Sequence, residues 1–212
     1  MKIVVFGANG ATGRQVVAQA LAAGHEVTAF VRGADKAPVP HPRLRVVVGE
    51  VTSDQRAVTE AVTGHDAVIS ALGGDRTPKG LVAATVIRRS TPVLVRAMEE
   101  AGVGRVVFLS AFGVGESADR LPLPSRILYK VLLGLVFADK EAGERVLRGS
   151  RLDWTLVYAA MLTNGARTHG YRAGEHLDLK GLARISRADV AEFMLQETVE
   201  RAYVHKIVVV AD

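Results

Sequence analysis

Three glycines at regular spacing follow the first apolar run of the chain. The run covers residues 2–6, and the glycines are Gly7, Gly10 and Gly13. Glycines in this pattern permit a tight strand-to-helix turn, leave room for a pyrophosphate beside the backbone, and let helix and strand pack closely. The free N–H groups and the dipole at the start of such a helix favour an anion. We therefore predict a dinucleotide site here, the alternative being a turn that serves packing alone. The residues predicted to line this turn are Gly7, Asn9, Gly10, Ala11, Thr12 and Gly13, with Asn9 and Thr12 adding side-chain hydrogen bonds to the phosphates.

The end of the second apolar run bears on which dinucleotide is bound. Roughly twenty residues after the glycine turn, an Asp or Glu would hold the ribose hydroxyls of NAD. This chain has Arg32 at that point. A guanidinium pairs with a 2′-phosphate, so we predict NADP(H) in preference to NAD(H), with Lys36 as an assisting cation. The alternative is that Arg32 is a solvent-exposed arginine without a ligand.

Other kinds of chemistry find little support in the sequence. The chain has no cysteine, which excludes disulfides, thiolate metal sites and a cysteine nucleophile. Its six histidines are dispersed without ligand spacing, so no metal is predicted. Ser110 lacks the Gly-x-Ser-x-Gly context of a hydrolase nucleophile. The net charge of +5 comes from scattered Lys and Arg, so nucleic acid is not expected as a partner.

Short apolar runs alternate with helical patterns, which is typical of βα units around a parallel sheet. We predict an α/β fold of the Rossmann type, a doubly wound and mostly parallel sheet with helices on both faces, as a single domain over residues 1–212. The predicted strands are 2–6, 26–31, 44–48, 67–71, 105–110, 153–157 and 206–210. The predicted helices are 12–23, 56–62, 91–101, 126–148 and 187–197. Loops at about 113–124 and 162–182 are expected to build the substrate pocket.

Local signals refine three of these helices. Gly24 is a natural C-terminal stop for the first helix. Ser186 and Asp189 have nearly the spacing of a capping box at the start of the last helix. The long helix contains an apolar stretch at 127–137 that Gly134 interrupts, and a bend is expected there. That stretch is either an ordinary buried helix or a partly exposed wall of a pocket or dimer contact.

The composition agrees with an independently folding globular domain. Of the 212 residues, 49% are hydrophobic and 23% are charged. No apolar run reaches the roughly 20 residues that a membrane span requires. We therefore expect a soluble, cytoplasmic protein without a membrane partner, and a homo-oligomer is compatible with the sequence.

Several stretches, in this order and spacing, resemble a known family. They are the segments 2–13, 24–32, 48–51, 64–73, 110–112, 139–140, 149–155 and 185–191. Together they are similar to atypical short-chain dehydrogenase/reductases of the NAD(P)H-binding, NmrA-like kind, and within them to the flavin reductase-like (biliverdin reductase B) group. The resemblance runs nearly from end to end of the chain. It implies the same fold and a nicotinamide cofactor.

The resemblance also implies positions for individual residues around the cofactor. Glu50 and Val51 would lie against the adenine, while Leu72, Gly73 and Gly74 would approach the ribose and pyrophosphate. Further on, Ser110 and Ala111 would face the nicotinamide ribose, and Lys140 would anchor it. The phenol of Tyr158, or the backbone at Tyr158 and Ala159, would contact the nicotinamide amide. Four of these residues have an alternative role: packing for Val51 and Leu72, a satisfied loop hydroxyl for Ser110, and a solvated helix-end side chain for Lys140.

Short-chain dehydrogenases usually carry a Tyr-x-x-x-Lys pair, which supplies a proton to an oxygen atom. This chain lacks it, since Tyr129 is followed four positions later by Leu133. The absence disfavours alcohol and sugar dehydrogenation. It does not disfavour reduction of a flat aromatic acceptor, where stacking on the nicotinamide and a proton from solvent suffice. Apolar walls for such an acceptor are predicted from Phe112, Leu128, Leu132 and Met161, with Ser110, Lys140 and Tyr158 as candidate catalytic residues.

Two functions of different classes follow. The first is an NADPH-dependent oxidoreductase that reduces flavins, quinones or similar planar acceptors by hydride transfer. The second is a non-catalytic NADP(H)-binding redox sensor that reports the state of the cofactor to a partner. An epimerase or dehydratase of nucleotide sugars ranks lower, because the proton-transfer residues are absent and little chain remains for a sugar-binding domain.

Overall fold

Strands form where valines, isoleucines and aromatic residues follow one another. The computed structural model describes residues 1–33, 38–73, 85–115, 123–179 and 183–212, with the backbone alone over 123–133. Within these ranges the strands are β1 (Lys2–Phe6), β2 (Glu26–Val31), β3 (Leu44–Val48), β4 (Ala67–Ser70), β5 (Arg105–Ala111), β6 (Asp153–Ala159), β7 (Met161–Thr163), β8 (Arg172–Gly174), β9 (Arg184–Ser186) and β10 (Lys206–Ala211). The helices are α1 (Ala11–Ala22), α2 (Gln55–Val62), α3 (Val86–Ala101), α4 (Leu123–Arg148) and α5 (Arg187–Glu200).

Eight of the described strands form one sheet in the order β3-β2-β1-β4-β5-β6-β10-β8. All pairings are parallel except that of β8 with β10. This is the doubly wound order, in which β1 lies between β2 and β4 at the point where the strand order reverses. The carboxyl ends of β1 to β6 therefore meet along one side of the sheet, called here the carboxyl edge. The α/β Rossmann fold predicted from the sequence is confirmed.

Each face of the sheet carries its own apolar core. Alternate residues of β1 show this, since Ile3 and Val5 pack under α1 and α5, whereas Val4 and Phe6 pack under α2 and α3. The central strands are buried on both sides, as parallel strands covered by helices must be. Among the described helices, none has the length and apolar character needed to cross a membrane.

The predicted elements match the observed ones with four corrections. Strand β6 continues to Ala159, so Tyr158 lies inside the strand and not after it. Helix α3 begins at Val86, five residues before the predicted start. Helix α4 runs through Gly134 without the expected break. Three short strands, β7 to β9, occur in and beside the predicted 162–182 loop, and β7 pairs with β9.

The early start of α3 has a cause in another helix. The carboxylate of Asp139, on α4, accepts hydrogen bonds from the backbone N–H groups of Ile87 (2.9 Å) and Arg88 (3.0 Å). These N–H groups lie in the first turn of α3 and have no partner within their own helix. A residue distant in sequence therefore satisfies the N–H groups at the start of α3. The sequence around the predicted start at residue 91 does not contain this information.

The loop after β7 is tied to the start of α5. Asp189 accepts hydrogen bonds from Thr168 N (2.7 Å) and His169 N (3.1 Å), and its own N–H donates to Ser186 Oγ (2.9 Å). Burial raises the pKa of Asp189, but hydrogen bonds donated to its carboxylate by Ser186 Oγ (2.7 Å), Thr168 N and His169 N outweigh this and hold the pKa below its ordinary value. The predicted cap at Ser186 is thus confirmed. Gly24 likewise takes φ +86° just after α1, as a helix-stopping glycine does.

Two glycines of α4 provide a matched test of this packing. A Cβ at Gly143 would lie 2.6 Å from Ile87 Cγ2 and 3.1 Å from Ile87 O, whereas a Cβ at Gly134 would meet none of the described atoms within 4 Å. We expect Gly143→Ala to lower the free energy of unfolding by about 1–3 kcal/mol, because it forces α3 and α4 apart. Gly134→Ala should raise it by about 0.5–1 kcal/mol through helix propensity.

Chemical denaturation of both variants measures these free energies. An unchanged or raised stability of Gly143→Ala would contradict the close crossing of α3 and α4.

Candidate active site

The glycine turn lies at the carboxyl edge, between the end of β1 and the start of α1. Gly7 has φ +77°, and a Cβ on it would come within 2.6 Å of Ala71 O. A Cβ on Gly13 would lie 2.0 Å from Gly7 O. Gly10 closes the turn by donating its N–H to Gly7 O at 2.9 Å. Gly7 and Gly13 thus have the turn and packing roles predicted for them.

The first turn of α1 is suited to hold an anion. Gly10 occupies the N-cap position, no side chain caps the helix, and no acidic residue lies in its first turn. The N–H groups from Ala11 onward therefore point toward the carboxyl edge. The positive end of the helix dipole lies there as well. Arg14, which the sequence analysis did not single out, donates Nε to Asn9 O at 3.1 Å. That bond holds a guanidinium beside the same turn.

One side chain of the turn, Asn9, has an unsatisfied hydrogen-bond acceptor that a ligand could satisfy. Asn9 Oδ1 is buried and has no hydrogen-bond partner in the structure, although a buried amide oxygen ordinarily has one. Thr12 is buried. A hydroxyl donor from a bound nucleotide would satisfy Asn9. The residues of the turn therefore fit a dinucleotide.

The ends of β2 and β3 carry the residues predicted near the adenosine half. Arg32 is exposed directly after β2. Glu50 is exposed, and its carboxylate accepts hydrogen bonds from Thr52 N (3.2 Å) and Thr52 Oγ1 (3.0 Å). Val51 is buried in the core. All three lie at the carboxyl edge, on the strands next to the turn. Lys36 lies outside the described residues.

The end of β4 borders the turn on its other side. Leu72 is half-buried and Gly73 is exposed, and a Cβ on Gly73 would meet nothing within 4 Å. Ser70 Oγ, at the last position of β4, is buried without a hydrogen-bond partner. Within the described part of the chain, the space beside Gly73 is therefore open. Gly74 lies outside the described residues.

A buried polar cluster occupies the ends of β5 and β6. Ser110 and Tyr158 are register partners on the two strands, and both are 2% exposed. Ser110 Oγ donates to Glu144 Oε1, and Tyr158 Oη donates to Glu144 Oε2 at 2.6 Å. Lys140 lies one helical turn before Glu144 on α4. Ser110 and Tyr158 are thus joined by a carboxylate that the sequence analysis missed, and the charges of Lys140 and Glu144 attract each other.

Burial pushes the charged groups of this cluster toward their neutral forms. It raises the pKa of Glu144 although the hydrogen bonds from Ser110 and Tyr158 and the charges of Lys140 and Arg148 oppose it. It lowers the pKa of Lys140 although Glu144 and Asp139 oppose it. Lys140 itself is half-buried, and its charge is attracted to the carboxylates of Glu144 and Asp139.

The position that a catalytic tyrosine would take on α4 is apolar. Val136 lies four residues before Lys140, so the Tyr-x-x-x-Lys pair is absent there as well. The phenol of the cluster comes instead from Tyr158 on β6. In the sequence, Glu144 is marked only by its position one helical turn after Lys140. Its role depends on β5 and β6, whose Ser110 and Tyr158 contact it in the fold.

The remaining predicted residues lie near the same strand ends. Ala111 is half-buried, and Ala159 is buried with its carbonyl accepting from Phe112 N at 2.9 Å. Phe112 is half-buried and Met161 is 40% exposed, so both present apolar surface. Leu128 and Leu132 have side chains outside the described part of the structure. Within that part, no three histidine or acidic side chains converge as metal ligands would.

Comparison with known proteins assigns the chain to a family. A family model described as NAD(P)H-binding matches residues 7–200, and the chain belongs to this family. An uncharacterized chloroplastic protein of Arabidopsis thaliana is 31% identical over 212 residues, covering 98% of this chain and 75% of that protein. The predicted membership of an NAD(P)H-binding family is thereby confirmed.

Two solved structures have closely similar folds. ChuY, an anaerobilin reductase from Escherichia coli O157:H7, matches with a TM-score of 0.81 at 22% identity, covering 99% of this chain and 96% of that one. A short-chain dehydrogenase/reductase from Veillonella parvula, in complex with NADP, matches with a TM-score of 0.82 at 19% identity, covering 100% and 94% of the two chains. At these identities the likeness establishes the fold alone.

Gly73 tests whether the cofactor occupies the space beside the turn. Gly73→Ala adds a methyl group that meets no atom of the described residues within 4 Å, so the free energy of unfolding should stay within about 0.5 kcal/mol of the wild type. NADPH binding should weaken by about tenfold, or 1.4 kcal/mol, because the methyl group intrudes on the pyrophosphate. Fluorescence titration measures the affinity.

The matched control is Gly104→Ala, at the opposite end of β5, which should leave the affinity unchanged. An unaltered affinity in Gly73→Ala would place the cofactor elsewhere.

Proposed function

We propose that this member of the NAD(P)H-binding family is an NADPH-dependent oxidoreductase that reduces flavins, quinones or similar planar acceptors by hydride transfer. The observation that carries the proposal is the shared position of two features. The anion-holding start of α1 and the buried cluster of Ser110, Glu144 and Tyr158 lie on the same carboxyl edge, on opposite sides of β4. A dinucleotide extended along that edge would bring its nicotinamide from the turn toward the cluster.

The residues have distinct tasks in this proposal. Ala11, Thr12 and the guanidinium of Arg14 would hold the pyrophosphate, and Arg32 would pair with the 2′-phosphate. Ser110 and Lys140 would orient the nicotinamide ribose. When bound, the cofactor supplies the hydride, so the protein contributes position and electrostatics.

Planar acceptors suit the groups found beside β5 and β6. Phe112 and Met161 offer apolar surface against which a flat ring can stack, and Val136 removes the usual proton donor of carbonyl reduction from α4. Stacking fixes the distance and direction of hydride transfer. ChuY, whose name makes it a reductase of anaerobilin, is a structural neighbour and supports a search among flat conjugated acceptors.

A second candidate function is a non-catalytic NADP(H)-binding redox sensor. It is favoured by the same Val136, since a protein that only reports the cofactor needs no proton donor on α4. The two candidates share the cofactor site and differ in turnover.

Turnover separates these candidates. Purified protein mixed with NADPH and FMN, riboflavin, menadione or biliverdin should oxidise NADPH with at least one acceptor, followed by the loss of NADPH absorbance. Tight NADPH binding without turnover of any acceptor would favour the sensor. Oxidation confined to a carbonyl or sugar substrate would contradict the planar-acceptor proposal.

Arg32 tests the cofactor preference. Arg32→Ala should raise the Kd for NADPH by about tenfold or more, since a charge-assisted hydrogen bond contributes about 1.5–3 kcal/mol. The Kd for NADH, which lacks the 2′-phosphate, should change less than about twofold, well inside 1.4 kcal/mol. Arg96→Ala is the control, because Arg96 is exposed on α3 and pairs with Glu100 at 2.7 Å. Equally small increases in the Kd values of both cofactors would show that Arg32 does not bind the 2′-phosphate.

A further inference from the structure

Glu144 is placed to connect two strands of the carboxyl edge. Its side chain is 3% exposed and its two carboxyl oxygens serve different strands, Oε1 accepting from Ser110 on β5 and Oε2 from Tyr158 on β6. The close crossing of α4 over α3 at Gly143 brings Glu144 to this depth. A buried carboxyl group that contacts two hydroxyls is more than the packing of α4 requires, because an apolar residue would fill the same volume at lower desolvation cost.

The charge of Glu144 decides what the two hydroxyls can do. Each hydroxyl has one hydrogen to donate, whereas an ionised carboxylate only accepts. With Glu144 ionised, both hydrogens point at it, and Ser110 Oγ offers only lone pairs to a ligand. With Glu144 protonated, the carboxyl donates to one hydroxyl, which is then free to donate its own hydrogen onward.

Several charged and titratable groups face Glu144. Lys140 lies one turn before it and Arg148 one turn after it on α4, while Tyr158 faces it from β6. Asp139 acts on Lys140 while holding the N-terminus of α3. Burial raises the pKa of Glu144 against the opposing cations, so its protonated form persists to higher pH than that of an exposed glutamate.

Ser110 is the member of the cluster nearer to the cofactor turn. Its strand, β5, pairs with β4, which itself pairs with β1 at the turn, whereas β6 lies one strand further away. A proton that leaves Glu144 for the proposed nicotinamide region therefore has its shorter route through Ser110 Oγ.

We propose that Glu144 is a positioning residue that stores the proton of the reduction and delivers it through Ser110. This inference rests on the proposed function, in which hydride transfer leaves the acceptor with a negative charge and one proton short. The Oγ–H bond of Ser110 breaks as that proton passes to the acceptor, and the O–H bond of Glu144 breaks as its proton restores the serine hydroxyl. Glu144 is left as a carboxylate and regains a proton from water, so the charges balance.

The first test uses the protein without cofactor or acceptor. Infrared pH-difference spectra of the wild type and of Glu144→Gln isolate the C=O stretch of a protonated carboxyl at residue 144. The band should titrate at a pH above about 4.3, the ordinary value for glutamate, and should be missing in the variant. A band that titrates at or below that value overturns the proposal, whether or not any acceptor is turned over.

The second test follows single-turnover reduction of an acceptor across pH. Because the protonated form is the active one, the wild-type rate should fall as pH rises through the pKa of Glu144. Glu144→Gln should be slower by about a hundredfold, the lower range of general acid catalysis, and its rate should be independent of pH there. The Kd for NADPH, measured by fluorescence titration, should stay near that of the wild type. A wild-type rate and pH profile in Glu144→Gln overturns the proposal.

Three companion variants separate proton delivery from structural support. Ser110→Ala should reproduce the slow and pH-independent rate, since it interrupts the route while leaving the Tyr158 bond to Glu144. Tyr158→Phe removes a comparable hydrogen bond but should retain the pH dependence. Glu141→Gln, an identical change at an exposed position of α4, should match the wild type. Loss of the pH dependence in Tyr158→Phe but not in Ser110→Ala would overturn the assigned route.

Discussion

The contact between Gly7 and Gly13 is the constraint on which the carboxyl edge depends. A single methyl group at Gly13 would lie 2.0 Å from Gly7 O, so the two backbones approach as closely as they can. This approach seats α1 directly beyond the end of β1, with its unpaired N–H groups at the point where the strand order reverses. Without it the helix would move away from the sheet, and neither the turn nor the space beside Gly73 would be shaped for a dinucleotide.

Helix α4 organises the other half of the site through three residues within two turns. Asp139 holds the first N–H groups of α3, Gly143 lets the two helices cross closely, and Glu144 reaches the hydroxyls on β5 and β6. Stability and chemistry are therefore coupled in this helix. The cost of burying the carboxylate of Glu144 is offset by its hydrogen bonds from Ser110 and Tyr158 and by the attraction of Lys140 and Arg148.

The sequence contained the parts of this site that are encoded locally. The glycine spacing, the apolar runs and the Ser186–Asp189 cap each depend on residues a few positions apart, and each was predicted. The start of α3 was not, because its N-terminus is satisfied by Asp139, 52 residues from Ile87. Glu144 was missed for the same reason, since Ser110 lies 34 residues away and only the parallel register of β5 and β6 brings Tyr158 beside it. The length of β6 was underestimated because Tyr158 and Ala159 belong to the strand through their pairing with Ser110 and Ala111 on β5. That pairing is not visible in the local sequence.

The most direct test of the central claim is a crystal structure of the protein with NADPH. The account predicts the pyrophosphate at the N–H groups of Ala11 and Thr12, the 2′-phosphate against Arg32, and the nicotinamide ring beside Ser110. A cofactor bound away from the glycine turn, or one whose nicotinamide points away from β5, would contradict it.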